Sequence, residues 1–338
     1  MREPPKLADT TIIAALHAQY GIFIRALSFL PLGSDSASSV YRVDAADGAT
    51  YLLKVRAGSG FSAASLIVPR FLRDRGVPRI VAPLPTINQT LWVSVNEFAL
   101  SLYPFIDGRV GADAGLSEEQ WRAFGAMVKQ IHASQLPPDL ICTVPHESFT
   151  PSRRSVVTDL EAAISGQALA DSLEQKLAAF WRSRQDEISV VVDRADALGR
   201  QLRRASPPRV LCHADLHTWN VLVDSAQQLW LVDWDETTLA PKERDLMFVV
   251  GGIGSDLVGP HDTAWFFQGY GDAEVDRTAL TYYRYAWAVQ DMGAYGERVF
   301  FMPDLGEETR RDAVHGFMDM FKPGKIVAIA FASDGAAA

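Results

Sequence analysis

The chain has 338 residues, 48% of them apolar and 22% charged, enough apolar surface for a large core and an ordinary balance that argues against disorder. Its formal net charge of −9, from 41 acidic and 32 basic residues, disfavours nucleic acid and anionic membrane as partners and suits a cationic small substrate. Two cysteines, Cys142 and Cys212, rule out a disulfide framework and cannot by themselves make a thiolate zinc site.

Residues 7–20 carry Ile12, Ile13, Leu16 and Tyr20 at helical spacing, with Gly21 placed to cap the helix. From Arg25 to Tyr103 the pattern changes to short apolar runs, over 26–32, 40–43, 51–55, 91–95 and 98–103, with Asp47 and Gly48 marking a hairpin. A helical stretch over 62–75 interrupts them, with Pro69 in its middle. Pro104 opens a different regime. Ser117 and Gln120 form a capping box for a helix through His132, and 171–204 reads as one long amphipathic stretch. Short β-rich runs follow at 210–211, 221–223 and 229–234, and the chain from Lys242 to about Phe321 is mainly helical. The expectation is an α+β chain in two lobes, a β-rich one over 1–106 and a larger helical one over 107–338. The N-terminus lacks a signal-peptide core, and no uncharged apolar run reaches the roughly 18 residues of a membrane helix. A cytoplasmic protein, monomeric or weakly dimeric and without membrane partners, is expected.

The chemistry concentrates between His213 and Asp235. Asp215 is followed five residues on by Asn220, and Asp233 lies thirteen beyond that. This is the spacing of a kinase catalytic set. Phosphoryl transfer needs positioning and charge neutralisation more than covalent chemistry. One carboxylate, Asp215, meets the attacking hydroxyl. An amide oxygen, Asn220, and a second carboxylate, Asp233, hold magnesium against the phosphates. Residues 221–223 and 229–232 read as the hairpin that joins these points. Any one of these residues alone would pass for a turn former, but the set at this spacing is not explained that way. The alternation of His213, Asp215 and His217 also allows a metallohydrolase site, although no further histidine clusters with them. Lys54, inside the apolar run 51–55 after the hairpin, is a candidate for binding the ATP phosphates.

The stretch from His213 to Asp235 resembles the aminoglycoside phosphotransferase family, whose members have a two-lobed, protein-kinase-like fold. The segment 234–248, Phe267 to Gly271, Tyr282 to Arg284, and Tyr103 to Ile106 resemble the spectinomycin phosphotransferases more particularly, and the likeness runs over nearly the whole chain. The resemblance implies ATP and Mg²⁺ as cofactors and a small cationic aminocyclitol as substrate, phosphorylated on its 9-hydroxyl. It implies Asp215 as catalytic base, Asn220 and Asp233 as metal ligands, and Lys54 on the α- and β-phosphates. Asp245 and His213 would brace the catalytic loop. Ser34 and Ser36, in the place of a glycine-rich loop, and Tyr103 and Phe105, in the hinge, would contact nucleotide. Asp235, Glu236, Asp256 and Asp291 are candidate acids for the amines of the substrate, and Trp287 and Tyr295 are candidates to close over its rings. One departure stands out. No acid lies between Ser59 and Arg70, and Ala63 occupies about the position of the glutamate that would pair with Lys54. Either another carboxylate serves, or Lys54 stands unpaired. Three readings follow: a spectinomycin kinase, a metabolic kinase of choline, homoserine or sugar, and a catalytically dead nucleotide-binding module.

Overall fold

The computed structural model describes residues 4–32, 38–58, 62–166, 169, 171–254 and 257–335. In chain order, α1 (Asp9–Tyr20) leads into β1 (Ile24–Leu30), β2 (Ser38–Ala45) and β3 (Thr50–Ala57), then α2 (Ala64–Asp74), β4 (Val93–Val95) and β5 (Phe98–Pro104). These strands make one antiparallel sheet in the order β1-β2-β3-β5-β4. Gly21 ends α1 in the left-handed region (φ 70°), where its N–H reaches the carbonyl of His17. A side chain there would be strained.

Pleating sorts β3 into two faces. Leu53 and Val55 point one way, into a core with Tyr41, Val43, Leu100, Leu102 and the α1 residues Ile12 and Leu16. Leu52 points the other way, onto a second cluster around Leu66, Val81 and Tyr103 that also takes in Trp230 and Val232. Lys54 and Arg56 share the face of Leu52. Helix α2 forms where the helical stretch was expected and runs on through Pro69. Leu66, Val68 and Leu72 are fully buried, and at about 1.5–3 kcal/mol each they outweigh the roughly 3 kcal/mol an internal proline costs.

The chain continues through β6 (Gly108–Val110), α3 (Gly111–Ala114), α4 (Glu118–Ala133) and α5 (Pro138–Ile141). The capping box is formed as expected: Gln120 N–H donates to Ser117 Oγ at 3.2 Å, and Ser117 N–H donates to Gln120 Oε1 at 2.9 Å. Next come α6 (Arg154–Gly166), α7 (Ser172–Ser183) and α8 (Gln185–Ala205). The stretch 171–204 is therefore two helices, parted at Arg184, whose φ of −118° leaves the helical range. Asp171 caps α7 by accepting the N–H groups of Leu173 and Glu174, both at 2.9 Å.

Strand β7 (Val210–Cys212) precedes a short 3₁₀ turn (Thr218–Asn220), the hairpin β8 (Val221–Asp224) and β9 (Leu229–Leu231), and β10 (Thr238–Ala240). Helices α9 (Glu243–Leu246), α10 (Pro260–Tyr270), α11 (Arg277–Phe300), α12 (Glu307–Asp319) and α13 (Ile326–Gly335) complete the chain. Helix α11 is central to the helical layer and packs on α6, α8, α12 and α13. Gly125 of α4 and Gly269 of α10 face the backbones of Phe266 and Arg122, so closely that neither position has room for a β-carbon. That contact accounts for a glycine within the 267–271 motif. No described helix is long and apolar enough to cross a membrane.

The fold is thus a β-sheet N-terminal region followed by a helical C-terminal region. The compact units do not part at 104–107, however. One comprises Met1–Gln120, Ala133–Pro145 and Thr218–Thr237, and the other comprises Trp121–His132, His146–His217 and Thr238–Ala338. The hairpin β8–β9 belongs with the N-terminal sheet because β6 pairs with β8 and the N–H of Val81 donates to the carbonyl of Leu231 at 3.0 Å.

Candidate active site

In the sheet-containing unit, Asn220 and Asp233 stand at the open end of the β8–β9 hairpin. Val221 pairs with Leu231, and the N–H of Val232 donates to the carbonyl of Asn220 at 3.0 Å. The backbone of Asn220 is therefore tied to the residue just before Asp233. Asp233 adopts a left-handed backbone (φ 63°), which aspartate tolerates better than most residues. Asn220 is 8% exposed, whereas the Asp233 side chain is 45% exposed. An amide oxygen and a carboxylate are hard oxygen donors, which suit magnesium. These residues fit the ion that the sequence implies.

Lys54 is not unpaired. Its Nζ lies 2.8 Å from Asp233 Oδ1 and 2.6 Å from Asp235 Oδ2. Arg56, two residues further along the same face of β3, donates to Asp235 Oδ1 and to Ser101 Oγ at 3.2 Å, and hydrogen-bonds Tyr103. Burial works to lower the Lys54 pKa, but the charges of Asp233 and Asp235 raise it above the usual range. Burial works to raise that of Asp235, but Lys54 and Arg56 hold it below the usual range. Asp235 was expected as an acid for the substrate amines. Within its own unit it faces two cations. Tyr103 packs in the cluster with Leu66 and Val81, and Phe105 lies under the guanidinium of Arg42, 4.8 Å from the ring centre. Ser34 and Ser36 fall outside the described residues.

In the helical unit, Asp215 sits in a loop held from below. Asp245 is fully buried. It accepts the N–H of His213 at 3.0 Å and that of Ala214 at 2.6 Å, and it lies 3.0 Å from His132 Nε2. Burial opposes its charge, but His132 above all keeps its pKa low. Ala214 is held in the left-handed region (φ 68°), a conformation costing of order 1–2 kcal/mol that this carboxylate offsets. His213 is buried, and its Nδ1 accepts the N–H of Asp215 at 3.3 Å. His132 was not singled out by the sequence, although it lies in the last turn of the helix that the capping box opens.

His217 Nε2 lies 3.1 Å from Asp215 Oδ1. Among the described residues, the metal-sized His, Cys, Asp and Glu cluster is His132, Cys212 and Asp245, not His213, Asp215 and His217. In that cluster the oxygens of Asp245 are taken by N–H donors, and burial raises the Cys212 thiol well above its usual range. The metallohydrolase reading therefore lacks its ligand set.

Asp291, on α11, is partly buried. Burial first, and then the charge of Asp215, push its pKa up to about 7, while His217, Arg298 and a hydrogen bond from Trp287 oppose the rise. Asp215 and Asp291 are therefore electrostatic neighbours. Trp287 was a candidate to close over substrate rings, with ordinary helix packing as the alternative. It is 7% exposed, edge-on to Phe248 at 4.9 Å and 5.3 Å from the guanidinium of Arg244. It packs in the helical layer and reaches the site through its bond to Asp291. The ring of Tyr295 lies against Gly316 of α12. Asp256 falls outside the described residues.

The model of the phosphotransferase enzyme family matches residues 28–289. Protein StrN of Streptomyces griseus is 25% identical over 290 residues, 83% of this chain and 82% of that protein. The spectinomycin phosphotransferase APH(9)-Ia, solved with ADP and spectinomycin, is similar over 98% of this chain and 99% of its own, at 31% identity and a TM-score of 0.85. Choline kinase LicA from Streptococcus pneumoniae, 13% identical with a TM-score of 0.57 over 92% of this chain and 99% of its own, shares the fold alone.

Proposed function

This chain belongs to the phosphotransferase enzyme family, and from that premise we propose that it transfers the γ-phosphate of ATP to a hydroxyl of spectinomycin. The single observation that carries the reading is the 31% identity, over 98% of the chain, to the enzyme solved with ADP and spectinomycin. The chemistry of the residues supports it. Lys54 supplies a point charge for the phosphates of ATP. Asn220 and Asp233 would hold magnesium, which neutralises phosphate charge when bound. Asp215 orients the acceptor hydroxyl and takes its proton as the oxygen bonds to the γ-phosphorus. The bond from that phosphorus to the bridging oxygen breaks, and ADP leaves. Asp245 keeps the loop of Asp215 in register through the N–H groups of His213 and Ala214.

Asp291 supports a cationic acceptor. A second carboxylate beside Asp215 creates a region of negative potential that favours an ammonium group. A phosphate added to such a drug introduces close to two negative charges, reversing the charge on which cationic recognition depends. The test is ADP release from ATP with spectinomycin, choline, ethanolamine, homoserine and simple sugars as acceptors. Spectinomycin-dependent release at least tenfold above the others supports the reading. Preference for choline or another small alcohol would reassign the chain to a metabolic kinase, and nucleotide binding without transfer to any acceptor would make it a binding module.

A further inference from the structure

In two-lobed kinases, the lysine on the third strand is aimed at the phosphates by a glutamate from a neighbouring helix. Here the corresponding helix has no carboxylate to offer. The acid within α2, Asp74, lies at its far end and is bound by Arg70 Nε at 2.9 Å. Lys54 nevertheless sits between two carboxylates, and these differ in how firmly they are held. The Asp233 side chain is 45% exposed. The Asp235 side chain is 29% exposed and is gripped from the interior by Arg56, itself 5% exposed and anchored on Ser101.

We propose that Asp235 is the positioning residue for Lys54, replacing the missing helix glutamate with a carboxylate from the segment that also carries Asp233. This rests on the reading of Lys54 as the phosphate-binding lysine. The physical logic is a division of labour. Asp233 has a second task, as a metal ligand, so its bond to Lys54 is one that nucleotide binding must release. Asp235 stays, because withdrawing it would strand the buried guanidinium of Arg56 without its carboxylate. Lys54 then keeps one fixed partner and remains extended along the face of β3. Without Asp235, Lys54 and Asp233 become each other's main partner, and phosphate and metal must compete with that pair.

The experiment is a double-mutant cycle on nucleotide affinity, measured by titration calorimetry with ADP and with a non-hydrolysable ATP analogue, with and without magnesium and with no acceptor present. Asp235→Asn is expected to weaken binding about tenfold and Asp235→Glu to restore most of it. In a Lys54→Met background, Asp235→Asn should have less than about a twofold effect, since the partner it positions is gone. In kinetics, Asp235→Asn should raise KM for ATP more than it lowers kcat, because it disturbs the binding of phosphate rather than proton transfer. If Asp235→Asn alone does not fold, Asp235→Asn with Arg56→Gln removes both buried charges together and takes its place in the cycle. Equal losses in the wild-type and Lys54→Met backgrounds would overturn the proposal, and so would unchanged affinity in Asp235→Asn. If the wild-type chain binds no nucleotide, the kinase reading itself fails, and this inference fails with it.

Discussion

Asp235 and Asp291 are both partly buried carboxylates, yet their surroundings push them in opposite directions. Asp235, in the sheet-containing unit, faces Lys54 and Arg56, and their charges hold it ionised against the cost of burial. Asp291, in the helical unit, has Asp215 as its electrostatic neighbour, and burial together with that like charge pushes it up to about 7. The first arrangement presents fixed cations, to which an anion would be drawn. The second presents an excess of negative charge that a bound ammonium would relieve. The same residue type thus leaves one region suited to an anion and the other suited to a cation.

The largest test of this contrast is Asp215→Asn. It keeps the shape of the loop and should leave nucleotide affinity near that of wild type, while turnover falls by ~10²–10⁴, the usual contribution of a positioned proton-transfer group. Turnover within threefold of wild type would remove Asp215 from the chemistry. Asp233→Ala is expected to cost about 10²-fold or more, because developing phosphate charge loses its stabilisation. Excess magnesium should not recover that loss, and a chelator should silence the wild-type enzyme. Undiminished turnover in chelator would break the anion-receiving half of the comparison. Lys54→Ala should lower kcat/KM for ATP by about 10–10²-fold while KM for the acceptor changes little.

Asp291→Asn probes the other half. Above pH 7, where Asp291 is ionised, it should raise KM for spectinomycin by about three- to tenfold and spare KM for ATP, since one charge is lost on the cation side only. The surface acid Asp47 changed to Asn serves as control, and equal effects from both would remove Asp291 from the site. The smallest effect is on stability. The folded chain keeps the proton of Asp291 up to about pH 7, whereas the unfolded chain releases it near the ordinary aspartate value of 3.8. Between those values the folded state binds more protons, so this group makes stability fall as pH rises. Asp291→Asn should remove that slope and stabilise the protein above pH 7, by about 1 kcal/mol or more on the scale of 1.4 kcal/mol per pKa unit. Thermal melts across pH 4–8 measure it.

Much of this was legible along the chain, because it is local. The helix 9–20 with its glycine cap, the strands of the sheet, the capping box at Ser117 and the hairpin after Asn220 all follow from short-range periodicity and turn chemistry. The spacing of Asp215, Asn220 and Asp233, five residues and then thirteen, is legible for the same reason: it is a property of the chain. What the sequence could not decide involves groups far apart along the chain. Lys54 meets Asp235 across 181 positions, and no window of residues announces that pairing. An Arg two positions beyond Lys54 was the available clue, because strand pleating puts both cations on one face. Trp287 reads as a possible ring clamp by its chemistry alone, and only packing against Phe248 and Arg244 shows it enclosed. The grouping of the hairpin follows the same rule: β6 and β8 lie over a hundred residues apart, and their pairing draws the hairpin into the N-terminal unit. Periodicity and spacing are properties of the chain, so the sequence alone determined the elements and the catalytic spacing. Burial and charge pairing exist only once distant segments are packed together, so tertiary structure decided which acid serves a cation and which holds its proton.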